Sequence, residues 1–160
     1  MIVWLEKALV LAIHDRQLAE HGGSAGVRDE GLLESALARP RQLHAYGDPE
    51  PDLVDLAASL ANGLARNHPF VDGNKRAAHV AYRTFLELNG TGLAATDEDK
   101  YLTILALAES KLSEREFAAW LRGRVRTRGR REAHEPRAAY RPRALRRRHK
   151  PQGKRTAKRA

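Results

Sequence analysis

The residues best suited to chemistry in this chain are concentrated in one segment, His68 to Arg76, which reads HPFVDGNKR. Histidine is the side chain whose charge changes near neutral pH, so His68 is suited to act as general base for a hydroxyl nucleophile. Lys75 and Arg76 add two positive charges, which favours a polyphosphate over a lone carboxylate as the bound anion. The segment therefore predicts a site for phosphate chemistry.

A helix that would position these groups begins directly behind them. Apolar residues recur at three- and four-residue spacing over 78–88, and Asn89-Gly90 supplies a C-terminal stop. The first turn of a helix has N–H groups without intrahelical partners and partial positive charge, so it attracts anions. Gly73 would let a phosphate approach the main chain, and Asn74 would offer a further donor.

Three nearby residues need separate interpretations. Asp72 would repel a phosphate unless a cation lies between them, so it is predicted to bind Mg²⁺, although an Asp at a helix start is often only a cap. Phe70 is assigned to packing. His79, on the predicted helix, is more often a packed or hydrogen-bonded residue than a ligand and is left out of the site.

HPFVDGNKR resembles the core motif of the Fic/Doc superfamily, His-x-Phe-x-(Asp/Glu/Asn)-(Gly/Ala)-Asn-(Gly/Lys)-Arg, and its Asn-Lys-Arg ending resembles the Doc (death-on-curing) branch. GVRDEGLLESALARP at 26–40 and the surrounding helices extend the resemblance over about residues 1–122. It implies an all-α, Fic-like bundle of about six helices with a central motif helix. It also implies a toxin of a toxin–antitoxin pair: a kinase that uses ATP and Mg²⁺ to phosphorylate a threonine of elongation factor Tu and so arrests translation.

The resemblance also implies a role for each motif residue. The catalytic set would be His68 as base, Asp72 as metal ligand, and Lys75 with Arg76 as phosphate clamp. The phosphate- and nucleotide-binding set would be Arg66, Gly73, Asn74, Lys75 and Arg76.

The chain departs from the related adenylyltransferases at two positions. Those enzymes have glycine where Lys75 stands and a second arginine where this chain has His79. A lysine side chain would obstruct the nucleotide orientation that exposes the α-phosphate, so phosphoryl transfer is preferred and adenylyl transfer (AMPylation) is the alternative.

Regulation in this family implies a partner protein. Some Fic proteins inhibit themselves with a helix bearing Ser/Thr-x-x-x-Glu-(Gly/Asn), but the nearest match, Ser110 to Arg115, ends in arginine. Inhibition in trans by a Phd-like antitoxin is therefore expected, with a disordered antitoxin segment that folds on binding.

Composition divides the chain in two. Residues 1–120 hold 12 Lys/Arg and 18 Asp/Glu, whereas residues 121–160 hold 17 and 2. Residues 1–121 are predicted to form the catalytic domain and residues 122–160 a disordered basic tail. The tail is either a solvated extension or a segment that contacts nucleic acid without specificity. A rival hypothesis therefore makes the protein a non-catalytic Fic-like binder of nucleic acid.

Other features predict a soluble cytoplasmic protein. There is no cysteine, so a disulfide framework and a thiolate metal site are excluded. The longest apolar run, residues 8–13, is too short to span a bilayer.

The helices before the motif are predicted from periodicity and punctuation. The first covers residues 2–20, with His14 and His21 at the surface. The second begins after Asp29 and ends before Pro40. Residues 41–51 are predicted to form a loop or short hairpin, which in the family would be a flap over the active site.

Three further signals complete the bundle. Pro51 would open a third helix that leads to the motif. Thr96 and Ser113 stand three residues before Asp99 and Glu116, the spacing of a helix cap, and predict the last two helices.

Overall fold

The computed structural model of the protein describes residues 1–128, which are mainly α-helical. The helices of this part of the chain are α1 (Lys7–His21), α2 (Glu30–Tyr46), α3 (Leu53–Asn67), α4 (Asn74–Leu88), α5 (Asp97–Ala108) and α6 (Glu114–Arg122). Two short strands, β1 (Thr91–Leu93) and β2 (Val125–Thr127), pair antiparallel with Gly92 opposite Arg126. The predicted all-α fold is confirmed, and the small ribbon is an addition to it. None of the described helices combines the length and apolar composition needed to cross a membrane.

Helix α3 is the centre of the fold. Every residue from Leu56 to Ala65 is buried, and α3 packs against α2, α4, α5 and α6. Gly63 allows α2 to come close, because a Cβ at this position would lie 3.0 Å from the Cα of Ala36. A helix that is buried all round belongs to the core and is held rigidly by its neighbours. The loop that leaves its C-terminus, which is the motif loop, therefore starts from a fixed point.

Helix caps follow the sequence signals closely. The side chains of Asp29, Thr96 and Ser113 each accept a backbone N–H from the first turn of the following helix, as predicted. The third helix is different. It is capped by Asp52, whose carboxylate forms a reciprocal capping box with Asp55, so the helix begins two residues later than Pro51 suggested.

Pro40 does not end the second helix, and this prediction was wrong. It lies buried inside α2, which continues to Tyr46. A proline within a helix costs about 3 kcal/mol because it removes a hydrogen bond and crowds the preceding turn. The burial of Pro40 itself and the contacts made beyond it act against that cost. Arg41 pairs with Glu6 at 2.9 Å and lies over the ring of Trp4.

The predicted loop or hairpin over residues 41–51 is consequently limited to residues 47–52. This shorter loop lines a cleft of about 630 Å³ together with α2, α3 and α6, and the lining includes Arg39, Glu114 and Arg122. No motif residue lines that cleft. None of residues 41–51 is among the described residues that line the motif cleft, and the flap role stays a prediction.

The ordered unit extends beyond the predicted boundary at Leu121. Ala94 N–H donates to Arg124 O at 2.8 Å, and Arg128 N–H donates to Gly90 O at 2.9 Å, on either side of the β1–β2 pairing. These bonds use only main-chain groups, so the exposed side chain of Arg126 in β2 can stay in water. Charge composition could not reveal such a strand. The remainder of the predicted tail, residues 129–160, lies outside the described residues.

Candidate active site

The motif loop connects two helix ends through two left-handed residues. His68 caps the C-terminus of α3 with φ 49° and ψ 55°, and Gly73 caps the N-terminus of α4 with φ 76°. Glycine adopts this region freely, whereas a histidine there is uncommon and must be held by its surroundings. The two turns leave His68 and the start of α4 lining the same cleft.

Residues 26–29 hold the motif loop from one side. Arg28 N–H donates to Pro69 O at 2.7 Å, Val71 N–H donates to Gly26 O at 3.0 Å, and Val27 bridges Phe70. The Arg28 guanidinium donates to the carbonyls of Asn67 and His68, at 3.0 and 2.7 Å. Arg28 thus secures the carbonyl of the left-handed histidine directly. No role was predicted for Arg28 from the sequence, although Arg28 lies within the 26–40 segment that resembles Doc-type proteins.

Asn74 closes the loop from inside. Its Oδ1 accepts the N–H of Phe70 at 2.8 Å, and its Nδ2 donates to the carbonyl of the same residue at 3.0 Å. The amide side chain is therefore committed to the main chain of the loop. The side-chain donor that sequence analysis predicted for an anion is occupied, and what Asn74 can offer to an anion is its backbone N–H in the first turn of α4.

His14 supports the loop from below, and its predicted surface position was wrong. It is 2% exposed and stacks on Phe70 with ring centroids 3.8 Å apart. Its Nε2 lies 2.7 Å from the carbonyl oxygen of Asp72. A carbonyl can only accept, so the proton must be on Nε2. Val10, His14 and Leu18 stand at four-residue spacing, and this spacing could have predicted that His14 lies on the inward face of α1.

Asp72 is held in its ionised form by the main chain. Its Oδ1 accepts the N–H of Gly73 at 2.7 Å, and its Oδ2 accepts the N–H of Ser24 at 3.2 Å. These hydrogen bonds, that of Gly73 first, lower the pKa of Asp72 below its usual value. Ser24 can approach because Gly23 precedes it. A Cβ on Gly23 would lie 2.7 Å from the Asp72 carboxylate.

Asp72 fits a magnesium ion that arrives with a nucleotide. Its two oxygens each keep a lone pair beyond the backbone bond, and among residues 1–128 it is the one carboxylate that lines the cleft. Within residues 1–128, no group of three or more His, Cys, Asp or Glu side chains could hold a metal by itself. Magnesium typically uses one or two carboxylates and completes its shell with phosphate oxygens and water. The donor set suits that mode of binding.

The cleft measures about 290 Å³ and is mostly polar. Its lining consists of His68, Val71, Asp72, Gly73, Asn74, Lys75, Arg76 and Tyr101. The first intrahelical bond of α4 is made by Ala77 N–H to Gly73 O at 2.9 Å, so the preceding N–H groups of Asn74, Lys75 and Arg76 remain for a ligand.

The structure thus gathers six of the predicted site residues and leaves out one. Arg76 lines the cleft and also ties it to the 22–24 segment, because its Nη1 donates to Gly22 O at 3.3 Å. Arg66 is exposed in the last turn of α3 and is not part of the cleft lining. The catalytic and binding roles of these residues stay predictions.

His79 lies behind the cleft and is packed, as expected, against Tyr82 and Tyr101. Arg83 Nη1 donates to its Nε2 at 3.0 Å. Burial, and then the positive charges of Arg83 and Lys100, lower the pKa of His79 to about 4. The imidazole is therefore neutral in the folded protein at neutral pH.

This depressed pKa makes stability depend on pH. The unfolded chain binds a proton on His79 at about pH 6.5 and the folded chain only near pH 4. The contribution of the neutral His79 to the free energy of unfolding is complete above pH 6.5 and is lost as the pH falls toward 4. Because His79 is only partly buried, we expect a loss of about 1–2 kcal/mol. Urea unfolding of the wild type and of His79→Asn at pH 7 and pH 4.5 measures this loss as the difference in pH dependence between the two proteins. Equal pH dependence in both proteins would contradict this assignment.

Comparison with known proteins agrees with the site. Residues 4–86 match the sequence profile described as the Fic/DOC family. "Toxin Doc" of Mycolicibacterium smegmatis (strain ATCC 700084 / mc(2)155) is 57% identical over 75 residues, which are 46% of this chain and 57% of that protein. "Protein kinase doc" of Escherichia phage P1 is 33% identical over 113 residues, 71% of this chain and 88% of that protein.

The profile match covers the helix that carries His14, the segment with Arg28, and the motif loop with most of α4. These elements supply the cleft lining apart from Tyr101, so the match concerns the site and its supports together. The chain belongs to the Fic/DOC family.

Proposed function

We propose that this protein is the toxin of a type II toxin–antitoxin module and acts as an ATP-dependent protein kinase. The observation that carries the proposal is the cleft itself, where His68 lies beside a helix N-terminus that bears Lys75 and Arg76. A histidine base beside a phosphate-binding helix end suits the transfer of a phosphate group to a hydroxyl, here the hydroxyl of a protein side chain. The names of the two relatives, a toxin and a protein kinase, support the same conclusion.

The nucleotide phosphates bind at the N-terminus of α4. The free N–H groups of Asn74, Lys75 and Arg76 and the two cationic side chains meet the phosphate oxygens. Arg66, in the last turn of α3, is proposed as a further phosphate ligand, although it is not among the lining residues of the cleft. Asp72 holds Mg²⁺, which neutralises charge on the phosphates when it is bound.

His68 accepts the proton of a threonine hydroxyl while the threonine oxygen attacks the γ-phosphorus. The bond from the γ-phosphorus to the bridging oxygen breaks, and ADP leaves. In such a reaction the protein contributes mainly position and charge stabilisation. The hydrogen bond from Arg28 to the His68 carbonyl contributes to positioning, because it fixes the backbone from which the imidazole extends.

Lys75 decides between phosphoryl and adenylyl transfer in this proposal. Its side chain lines the cleft at the first turn of α4. A lysine at this position would obstruct the nucleotide orientation that presents the α-phosphate. We expect Lys75→Gly to lose most phosphoryl transfer and to add AMP to a measurable fraction of the target. Intact mass of the target after incubation with ATP distinguishes the two products. An AMP adduct formed by the wild-type protein would overturn the choice of reaction.

The proposed target is a threonine of elongation factor Tu, and the expected outcome in the cell is arrested translation. A Phd-like antitoxin acting in trans would restrain the enzyme. Both proposals rest on family membership and on the relative named as a toxin. The chain matches only 57% of the length of that relative. The target and the antitoxin are properties of a whole protein, and the cleft alone does not specify them.

Residues 1–128 are proposed to carry the enzyme without help from residues 129–160. The rival hypothesis, a non-catalytic protein that binds nucleic acid through its basic segment, makes the opposite prediction. Because β2 completes the ribbon with β1, truncation should follow Arg128 and not Leu121. We expect the truncated protein to arrest growth on expression as the full chain does. Loss of arrest, with the truncated protein still folded and soluble, would favour the rival.

A further inference from the structure

One wall of the cleft comes from a distant part of the chain. Tyr101, in the second turn of α5, lines the cleft. The other described lining residues of the cleft belong to the motif loop and the start of α4. Tyr101 is 44% exposed, so part of its ring is open to a ligand. No step of the proposed transfer uses it.

The ring of Tyr101 is held on its buried side. It makes an edge contact with His79, with ring centroids 6.3 Å apart and planes at 81°. His79 is in turn fixed by Arg83 and by the neighbouring ring of Tyr82. An aromatic side chain that is supported on one side and open on the other loses little conformational entropy when a flat ligand group stacks on it.

The described lining of the cleft is more polar than is usual for the site of a whole nucleotide. Complete small-molecule sites are mainly apolar, whereas these lining residues include four ionisable side chains besides Tyr101. The cleft suits the phosphates. The base must then lie past the rim, where Val71 and Tyr101 are the apolar residues of the lining.

We propose that Tyr101 is the nucleobase platform of this site: the base of the bound nucleotide stacks on its exposed ring while the phosphates occupy the first turn of α4. The inference rests on the proposed nucleotide-dependent function and deepens it. Stacking on an aromatic ring tolerates any base because every base has a π-face. Tyr101 therefore supplies affinity for nucleotides over bare polyphosphate, and GTP should share the contact with ATP.

Equilibrium binding of two probes to the full chain tests the proposal. ATP contains the base, and tripolyphosphate does not; both are titrated with Mg²⁺ by calorimetry. We expect Tyr101→Ala to weaken ATP binding about tenfold and to leave tripolyphosphate binding unchanged. Tyr101→Phe should bind ATP as the wild type does. Tyr101→Leu keeps apolar bulk against His79 but lacks a π-face, so it should resemble the alanine variant.

The neighbouring Leu102 provides a matched control, since it is similarly exposed and does not line the cleft. Leu102→Ala should bind both probes normally. Unchanged ATP affinity in Tyr101→Leu or Tyr101→Ala would overturn the stacking proposal. Equal weakening of ATP and tripolyphosphate would also overturn it, because Tyr101 would then support the phosphate cleft only. A wild-type protein that binds neither probe would instead refute the proposed function.

Discussion

Replacing His68 with alanine should reduce phosphoryl transfer to the target about a thousandfold. Removal of a general base usually costs a factor of about 10²–10⁴, and His68 is the only histidine among the described residues that line the cleft. ATP affinity should change little, because the phosphates are bound by the first turn of α4 and its cations. Rates from phosphorylated target, measured together with ATP binding, separate the two effects.

His44→Ala is a suitable control for His68→Ala, since His44 is an exposed histidine of α2 outside the cleft. It should leave the transfer rate unchanged. A His68→Ala protein that transfers phosphate at the wild-type rate would remove the base assignment. If ATP binding fell in parallel with the rate, His68 would be a binding residue and not a base.

Asn74→Ala should damage both the fold and the activity. The substitution leaves the N–H and the C=O of Phe70 without the partners they have in the structure, at 2.8 and 3.0 Å. An unsatisfied, partly buried polar group costs about 1–3 kcal/mol, so we expect the free energy of unfolding to fall by about 2–3 kcal/mol. Transfer should fall by at least about a hundredfold, since small displacements of a site have effects of that size.

Asn74→Asp gives a graded comparison. A carboxylate can still accept from Phe70 N–H but cannot donate to its carbonyl, so stability should lie between that of the wild type and that of Asn74→Ala. Urea unfolding of the three proteins measures the series. If both variants unfolded like the wild type while ATP binding was lost, the Asn74 side chain would be a phosphate ligand, as sequence analysis first predicted.

Short-range signals in the sequence proved reliable. The capping residues Asp29, Thr96 and Ser113 act through bonds to residues three positions away, and the structure contains each of these bonds. The helix behind the motif follows from a repeat of three and four residues. Such features depend on neighbours along the chain, so the local sequence contains most of their energetics.

Long-range contacts were decided by the tertiary structure. His14 became a buried support because α1 packs its Val10–His14–Leu18 face on the motif loop, 58 residues away from Asp72 along the chain. Pro40 stayed in α2, where it is buried and where tertiary contacts of Arg41 follow it. Neither outcome could be calculated from the residues adjacent to it.

The site shows the same division most clearly. The sequence by itself determined which groups stand at the N-terminus of α4 and that this end would attract an anion, because nine adjacent residues contain them. Only the tertiary structure decided that the Asn74 side chain is bound to Phe70, that Arg28 and Ser24 hold the loop, and that Tyr101 completes the wall. Those contacts join segments that are distant in sequence, and their free energy exists only once the helices have packed.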